Sequence, residues 1–305
     1  MCVGCDWRPA RLLFGVFPPL FPSVYPTTVR FPSINITAGA IFFFAIHLLA
    51  IAAFFVQPTL PVLLLALGLF LVRKFGITGG YHRYFSHRAY KTSRWFQFFL
   101  AWLGGSSAQK GALWWAAHHR HHHQHSDQPE DLHSVKQQGF YWAHVGWILA
   151  DDYQEYDESR IKDFSRYPEL VWLDKWHFVP PVSLALICLA IGGWAGFLWG
   201  FCVSTVVLYH TTFAINSFCH LLGRRRYETG ESSRNSLILA ILTLGEGWHN
   251  NHHYYPHCAR QGFYWWEIDP TYYVLLGLQK LGLVSDIKEP PKRIVEGNEH
   301  VVLPG

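Results

Sequence analysis

Charge is scarce in this chain: Asp, Glu, Lys and Arg supply only 15% of its residues, whereas hydrophobic residues supply 50% and aromatics 17%. That balance excludes an ordinary soluble domain. The net charge of +4 is small, and the Lys and Arg flank apolar segments rather than forming a stripe, so no nucleic-acid partner is expected. Cysteine is sparse too: Cys2, Cys5, Cys188, Cys202, Cys219 and Cys258 are scattered, two of them inside apolar runs, which rules out a disulfide framework. Cys2 and Cys5 form a lone C-x-x-C with no strand-helix context and are read as noise. The start lacks the apolar core of a signal peptide and is punctuated instead by Pro9, Pro18, Pro19, Pro22, Pro26 and Pro32. Residues 1–36 are therefore expected to be a partly disordered cytoplasmic lead-in.

Long apolar runs are what the chain does have. Thr37 to Val56 is uncharged and matches the roughly 20 residues that cross a bilayer. Gln57-Pro58-Thr59 breaks it, and a second span follows over about 60–80. A third, over about 178–192, is turned by Gly192-Gly193-Trp194-Ala195-Gly196 into a fourth over about 196–218. The expected fold is an all-α integral membrane protein, with four transmembrane helices in two hairpins carrying a cytoplasmic helical cap. One domain covers 37–288, and 289–305 is a polar tail. Both connectors inside the hairpins are uncharged, whereas Arg30, Arg73, Lys74, Arg83, Arg88, Lys91, Lys175 and Arg224 to Arg226 lie on the other side. Cytoplasmic flanks carry the Lys and Arg, so both termini, the 81–177 segment and the C-terminal third are expected in the cytoplasm. Trp95 to Leu103 and Leu237 to Leu244 are too short to span and are read as interfacial or buried helices.

Six of the twelve residues from Trp114 to His125 are histidine. Residues three and four apart share a helix face, so His119, His122 and His123 can aim three imidazoles at one place, and His249, His252 and His253 repeat the spacing. His118, His121 and His122 satisfy the same rule, and spacing does not choose the register. His82 and His87, five apart, would not share a face in a regular helix and are expected to straddle a helix end. Asn216 and His220, four apart, do share one. Nine imidazoles exceed what one ion takes, so two ions with four or five each are expected; iron is chosen because all-nitrogen ligation with open positions suits oxygen activation, while ligand type alone also admits zinc or copper. Asp127, Asp131 and Glu246 are candidates for holding ring N–H groups. His47, mid-span, is read as a hydrogen-bonded core histidine, and His125, His133, His144, His177, His210, His257 and His300 as single histidines without a ligand role.

These motifs resemble the membrane fatty acyl desaturases, and within them the acyl-CoA delta-9 (stearoyl-CoA-like) branch, with a bacterial flavour in Ser126 to Ser134. The resemblance runs from about Gly76 to Gly282. It rests on Gly76 to Arg88, on His119-Arg120-His121-His122-His123, on His144-Val145-Gly146-Trp147, on Asn216 to His220 and on Gly245 to His253. It implies that His82, His87, His119, His122, His123, His220, His249, His252 and His253 surround two Fe2+ ions, with Asn216 holding one through water. It further implies a bent acyl tunnel whose bend is lined by Gln109, Trp115 and Thr212. Ala117 and His118 replace the Arg and Asp of animal members, and Lys74 stands where small or apolar residues are usual.

An unactivated methylene yields no hydrogen to an acid or base at neutral pH, so a metal oxidant is required. The expected reaction is oxygen-dependent cis desaturation of a saturated fatty acyl chain, on acyl-CoA and at the delta-9 position, with an acyl-phospholipid desaturase as an alternative. No haem or flavin segment is visible, which calls for a separate electron donor of cytochrome b5 or ferredoxin type. A membrane di-iron hydroxylase is the nearest rival reading, and a non-catalytic membrane metal-binding or transport protein a second.

Overall fold

The computed structural model describes residues 37–150 and 153–295; the expected lead-in, Cys2, Cys5, Arg30, and most of the tail, including His300, lie outside them. The described chain is mostly helical. Its one sheet is a two-residue antiparallel pair, Lys91 with Ser285 and Thr92 with Val284.

Three helices are long and apolar enough to cross a membrane: Ala38–Phe55, Leu60–Ser86 and Val179–His220. Each starts where the chemistry favours a start. Thr37 caps the first by accepting from the Ala40 N–H at 3.0 Å, and Pro sits in the opening turn of the other two. Their outer faces carry exposed Phe44, Leu48, Phe54, Leu64, Leu186 and Ile191. The third is 42 residues long, about 63 Å at 1.5 Å per residue and so twice a hydrocarbon core. Gly193, at φ 54° and ψ −150°, breaks it, a conformation that favours glycine. Beyond that break the chain folds back, because a Cβ on Gly196 would stand 2.4 Å from the Cys188 carbonyl. The expected connector of five residues is thus a bend at one.

Three charges at the end of the second span turn inward. Arg73, Lys74 and Arg83 are all buried. Arg73 donates to Thr205 Oγ1 at 2.8 Å and to Ser204 Oγ at 2.5 Å, and Lys74 donates to Thr212 Oγ1 at 3.0 Å. A long cationic side chain at a helix end can turn inward when neighbouring helices offer hydroxyls, which composition does not reveal. Arg88, Lys91, Lys175 and Arg224 to Arg226 do face solvent.

Helices Arg94–Gly105 and Ala112–His125 pack on the end of the second span, and Pro168–Lys175 packs on both of them. Tyr81, Phe85, Leu100, Leu113, Ile161 and Leu170 form the centre of that core. The two short apolar stretches are helices Arg94–Gly105 and Leu237–Leu242, with Trp95, Phe99, Ile238 and Ile241 exposed. Cys188, Cys202, Cys219 and Cys258 are free and buried.

Candidate metal centre and adjoining cavity

The second span ends as a wide helix, Gly76–Ser86, in which hydrogen bonds run from i to i+5 and residues five apart become neighbours. His82 and His87 are therefore brought together, with ring centroids 4.9 Å apart. They straddle a helix end as expected, His87 being the residue that caps it; the regular helical period did not show that their rings meet.

Each triplet is divided between two groups. His119 and His123 join His82, His87 and His252, whereas His122 joins His220, His249 and His253; within each group one ring nitrogen per residue lies within 4.8 Å of all the others. The helix explains the division. At about 100° per residue, positions i and i+4 nearly eclipse, and i+3 falls on the opposite shoulder. So His119 pairs with His123 and His249 with His253, while His122 and His252 each reach across. The helix register is also visible: His118 Nδ1 meets its own helix at Trp114 O, 2.9 Å away, and His121 Nε2 meets Glu130 O at 2.8 Å, so neither joins a group. His47 Nδ1 donates to Phe43 O at 2.6 Å and its Nε2 lies 3.0 Å from His210, as a hydrogen-bonded core histidine would.

The nitrogens fit a metal better than one another. In the first group, Nε2 atoms follow one another at 2.9–3.0 Å: His82 to His252, His252 to His123, His123 to His119 and His119 to His87. One proton per nitrogen cannot satisfy such a chain once Nδ1 atoms are protonated, whereas adjacent ligands about 2.1 Å from one ion at right angles stand about 3.0 Å apart. In the second group His220 Nε2 and His249 Nε2 are 3.1 Å apart, and His122 Nε2 and His253 Nε2 are buried with no hydrogen-bond partner. Burial pushes His119, His123, His249, His252 and His253 well below the usual imidazole range, and neighbouring imidazoles push the same way. Neutral rings are the form that binds metal.

Carboxylates stand behind the rings. His122 Nδ1 lies 2.8 Å from Asp131 Oδ1; burial lowers this imidazole, but the Asp131 charge outweighs it and the net direction is up. His82 Nδ1 is 2.5 Å from Glu246 Oε2. Glu246 and Asp269 also flank the buried Arg83, at 3.0 and 2.9 Å. Burial alone would raise the Glu246 carboxyl, yet His82 and Arg83 hold it at about 2. Asp127 differs from expectation. It accepts from the Ser232 N–H at 2.7 Å and the Ser134 hydroxyl at 2.7 Å, pinning the loop whose Ser232 Oγ meets His220 Nδ1 at 3.2 Å. Glu231, which sequence reasoning did not single out, stands 3.6 Å from His220 Nδ1 and 3.7 Å from His253 Nδ1. It lies in a polar loop without periodicity, and only its acidic type hinted at a role.

Beside the first group opens a cavity of about 640 Å³. Gln109, Trp115, Thr212 and Asn216 line it together with His119, Phe43, Trp147 and Phe213. Trp115 stacks on the His119 ring at 4.9 Å and 23°. Gln109 Nε2 donates to Thr212 Oγ1 at 3.2 Å. An apolar cavity with a few polar groups beside a histidine cluster suits a long hydrocarbon presented to a metal.

The sequence matches the model of the family described as fatty acid desaturase over residues 57–282. It is 37% identical over 267 residues to the sn-1 stearoyl-lipid 9-desaturase of Anabaena variabilis, covering 86% of this chain and 97% of that protein. The sn-2 palmitoyl-lipid 9-desaturase of Nostoc sp. is 36% identical, covering 85% and 93%. The icosanoyl-CoA 5-desaturase of Limnanthes douglasii is 35% identical, covering 70% of this chain and 61% of that protein.

Proposed function

Because the chain belongs to the fatty acid desaturase family and is a fatty acyl desaturase, we propose that it inserts a cis double bond at the delta-9 position of a saturated acyl chain, using two irons held by the nine histidines. The observation that carries this reading is the five-plus-four division of ring nitrogens beside an apolar cavity. When bound, two irons would supply the oxidant that an unactivated methylene demands. The chain's own residues do the rest. Glu246 and Asp131 hold Nδ1–H groups and so leave Nε2 lone pairs facing inward. Trp115, Gln109 and Thr212 form the wall along which the acyl chain lies, and the cavity keeps bulk water from the reacting carbons. Asn216, four residues before His220, is the candidate for holding a metal-bound water.

On this reading the carrier is a membrane lipid rather than CoA. Thr37 to Phe43 and Phe178 to Val182, the starts of two membrane helices, border the cavity, and Lys110 is the one Lys or Arg among its described lining residues, too little charge for a nucleotide phosphate cluster. The break at Gly193 supports four spans, and solvent-facing Arg88, Lys91 and Arg224 to Arg226 support cytoplasmic placement of the histidines and both termini. Electrons come from a separate donor of cytochrome b5 or ferredoxin type.

The test is expression in a desaturase-deficient host fed labelled stearate, with positional analysis of alkenes in early lipid and CoA pools and iron counting on purified protein. Two irons per chain and a delta-9 alkene appearing first in intact lipid are expected. A hydroxylated chain without alkene would overturn the desaturation, and an alkene appearing first on CoA would overturn the carrier.

A further inference from the structure

Lys74 is fully buried at the end of the helix Leu60–Phe75. Its side-chain nitrogen donates to Thr212 Oγ1 at 3.0 Å. Keeping an amine in such a place is costly, and an apolar side chain of similar length would fill the same space. What the lysine does there follows from the valence of one hydroxyl. Thr212 gives its single proton to the Leu208 carbonyl at 2.9 Å, which leaves two lone pairs. Lys74 fills one, and Gln109 Nε2 fills the other at 3.2 Å. With Lys74 in place all three positions around the oxygen are filled, which fixes the hydroxyl with its proton on Leu208; it then offers Gln109 only a lone pair, so the amide must meet it with Nε2. Thr212, Gln109 and Trp115 line the cavity, and Trp115 stacks on His119 and stands 6.0 Å from His82. A chain of hydrogen bonds thus runs from Lys74 to the wall beside the first histidine group.

We propose that Lys74 is a positioning residue for the site of desaturation: by saturating Thr212 it holds the Gln109 amide as a rigid polar step in an apolar wall, and that step fixes which carbon pair stops beside the histidines. An acyl chain sliding by one methylene along a uniform apolar wall gains or loses little, so register needs a fixed marker. Gln109 is that marker, and Lys74 keeps it from turning. The inference rests on the desaturase reading above.

The experiment compares the full-length, iron-loaded protein with Lys74→Met, Lys74→Gln and Thr212→Val, each supplied with one saturated acyl substrate. Double-bond position is read by mass spectrometry of derivatised products, together with kcat, KM and iron content. Wild type and Lys74→Gln, which keeps a donor, are expected to give one position. Lys74→Met and Thr212→Val should lose about tenfold in discrimination against the neighbouring positions, with iron content at the wild-type level, and combining the two should add nothing to either. Should Lys74→Met not accumulate, the nearly isosteric Thr212→Val decides from the other end of the same bond. Single-position product from both iron-loaded variants would overturn the role of Lys74. Absence of any alkene from the wild type would instead overturn the desaturase reading.

Discussion

The two histidine groups use the same side chain but are braced differently. The five-nitrogen group is anchored through His82 to Glu246, which is itself clamped by Arg83 and, through Arg83, tied to Asp269. The four-nitrogen group is anchored through His122 to Asp131, whose carboxylate also accepts from the backbone N–H groups of Asp127 and His133 at 2.8 and 3.3 Å, with Glu231 3.6 Å from His220 and 3.7 Å from His253. One brace is an ionic knot inside the core and the other a turn. The first therefore couples metal holding to the integrity of the fold, whereas the second couples it to a local loop.

Removing a ligand should produce the largest effect. His122→Ala is expected to abolish alkene formation and to take iron from the four-nitrogen group, and His252→Ala to take it from the five-nitrogen group; metal analysis beside product analysis reads both. If either variant kept two irons per chain, the division would be wrong. Next come the braces. Glu246→Gln and Asp131→Asn should each cost about 10–100-fold in activity or metal affinity. Only Glu246→Gln should also cost several kcal/mol of stability, about 3–5, by leaving a buried guanidinium undercompensated, and thermal melts of the two variants separate these outcomes. Equal melting losses would dissolve the contrast.

A smaller effect follows from acid. The metal-free protein keeps His119, His123, His249, His252 and His253 neutral, each lowered relative to the unfolded chain. The unfolded state then binds more protons below about pH 6.5, so stability falls as pH drops through that value, by at most roughly 1.4 kcal/mol per pH unit for each group. His122, raised by Asp131, works in the opposite direction. Glu246, lowered to about 2, contributes stability above its unfolded value, lost as pH falls toward 2. Melting chelated protein between pH 7.5 and 5 should show the decline, and saturating iron should flatten it; a flat profile without metal would contradict the buried neutral rings. The smallest effect belongs to His121→Ala, which leaves both groups intact and should change stability by less than about 0.5 kcal/mol, with unchanged iron content.

Much of this was legible from residue type and spacing. The apolar runs marked the helices that, among the described residues, are long and apolar enough to cross a membrane, and the nine histidines gathered at the site are those that the motifs singled out. Their division was hidden because spacing specifies a face, whereas His122 and His252 are recruited by partners on other segments. His82 and His87 were legible as a pair at a helix end, but the wide turn that brings their rings together has no signature in the spacing. Glu231 and Ser232 escaped because a loop has no period to read. That Arg73 and Lys74 are buried was not legible, because a charge at a helix end looks the same in sequence whether it meets water or a buried hydroxyl.

The wide helix Gly76–Ser86 has a consequence for how this protein can vary. It works as a phase shifter: a lipid-facing rod enters it, and a pair of aligned rings leaves it. The lipid-facing side chains from Leu60 to Val72 can exchange one apolar type for another freely, since on that face only length and greasiness count. Inside the next eleven residues a single deletion would rewind the backbone to ordinary pitch and swing His87 by about 100° away from His82. Tolerance to substitution and intolerance to insertion thus meet at one residue boundary, and a scan of one-residue deletions along this span should show activity collapsing abruptly where the pitch changes.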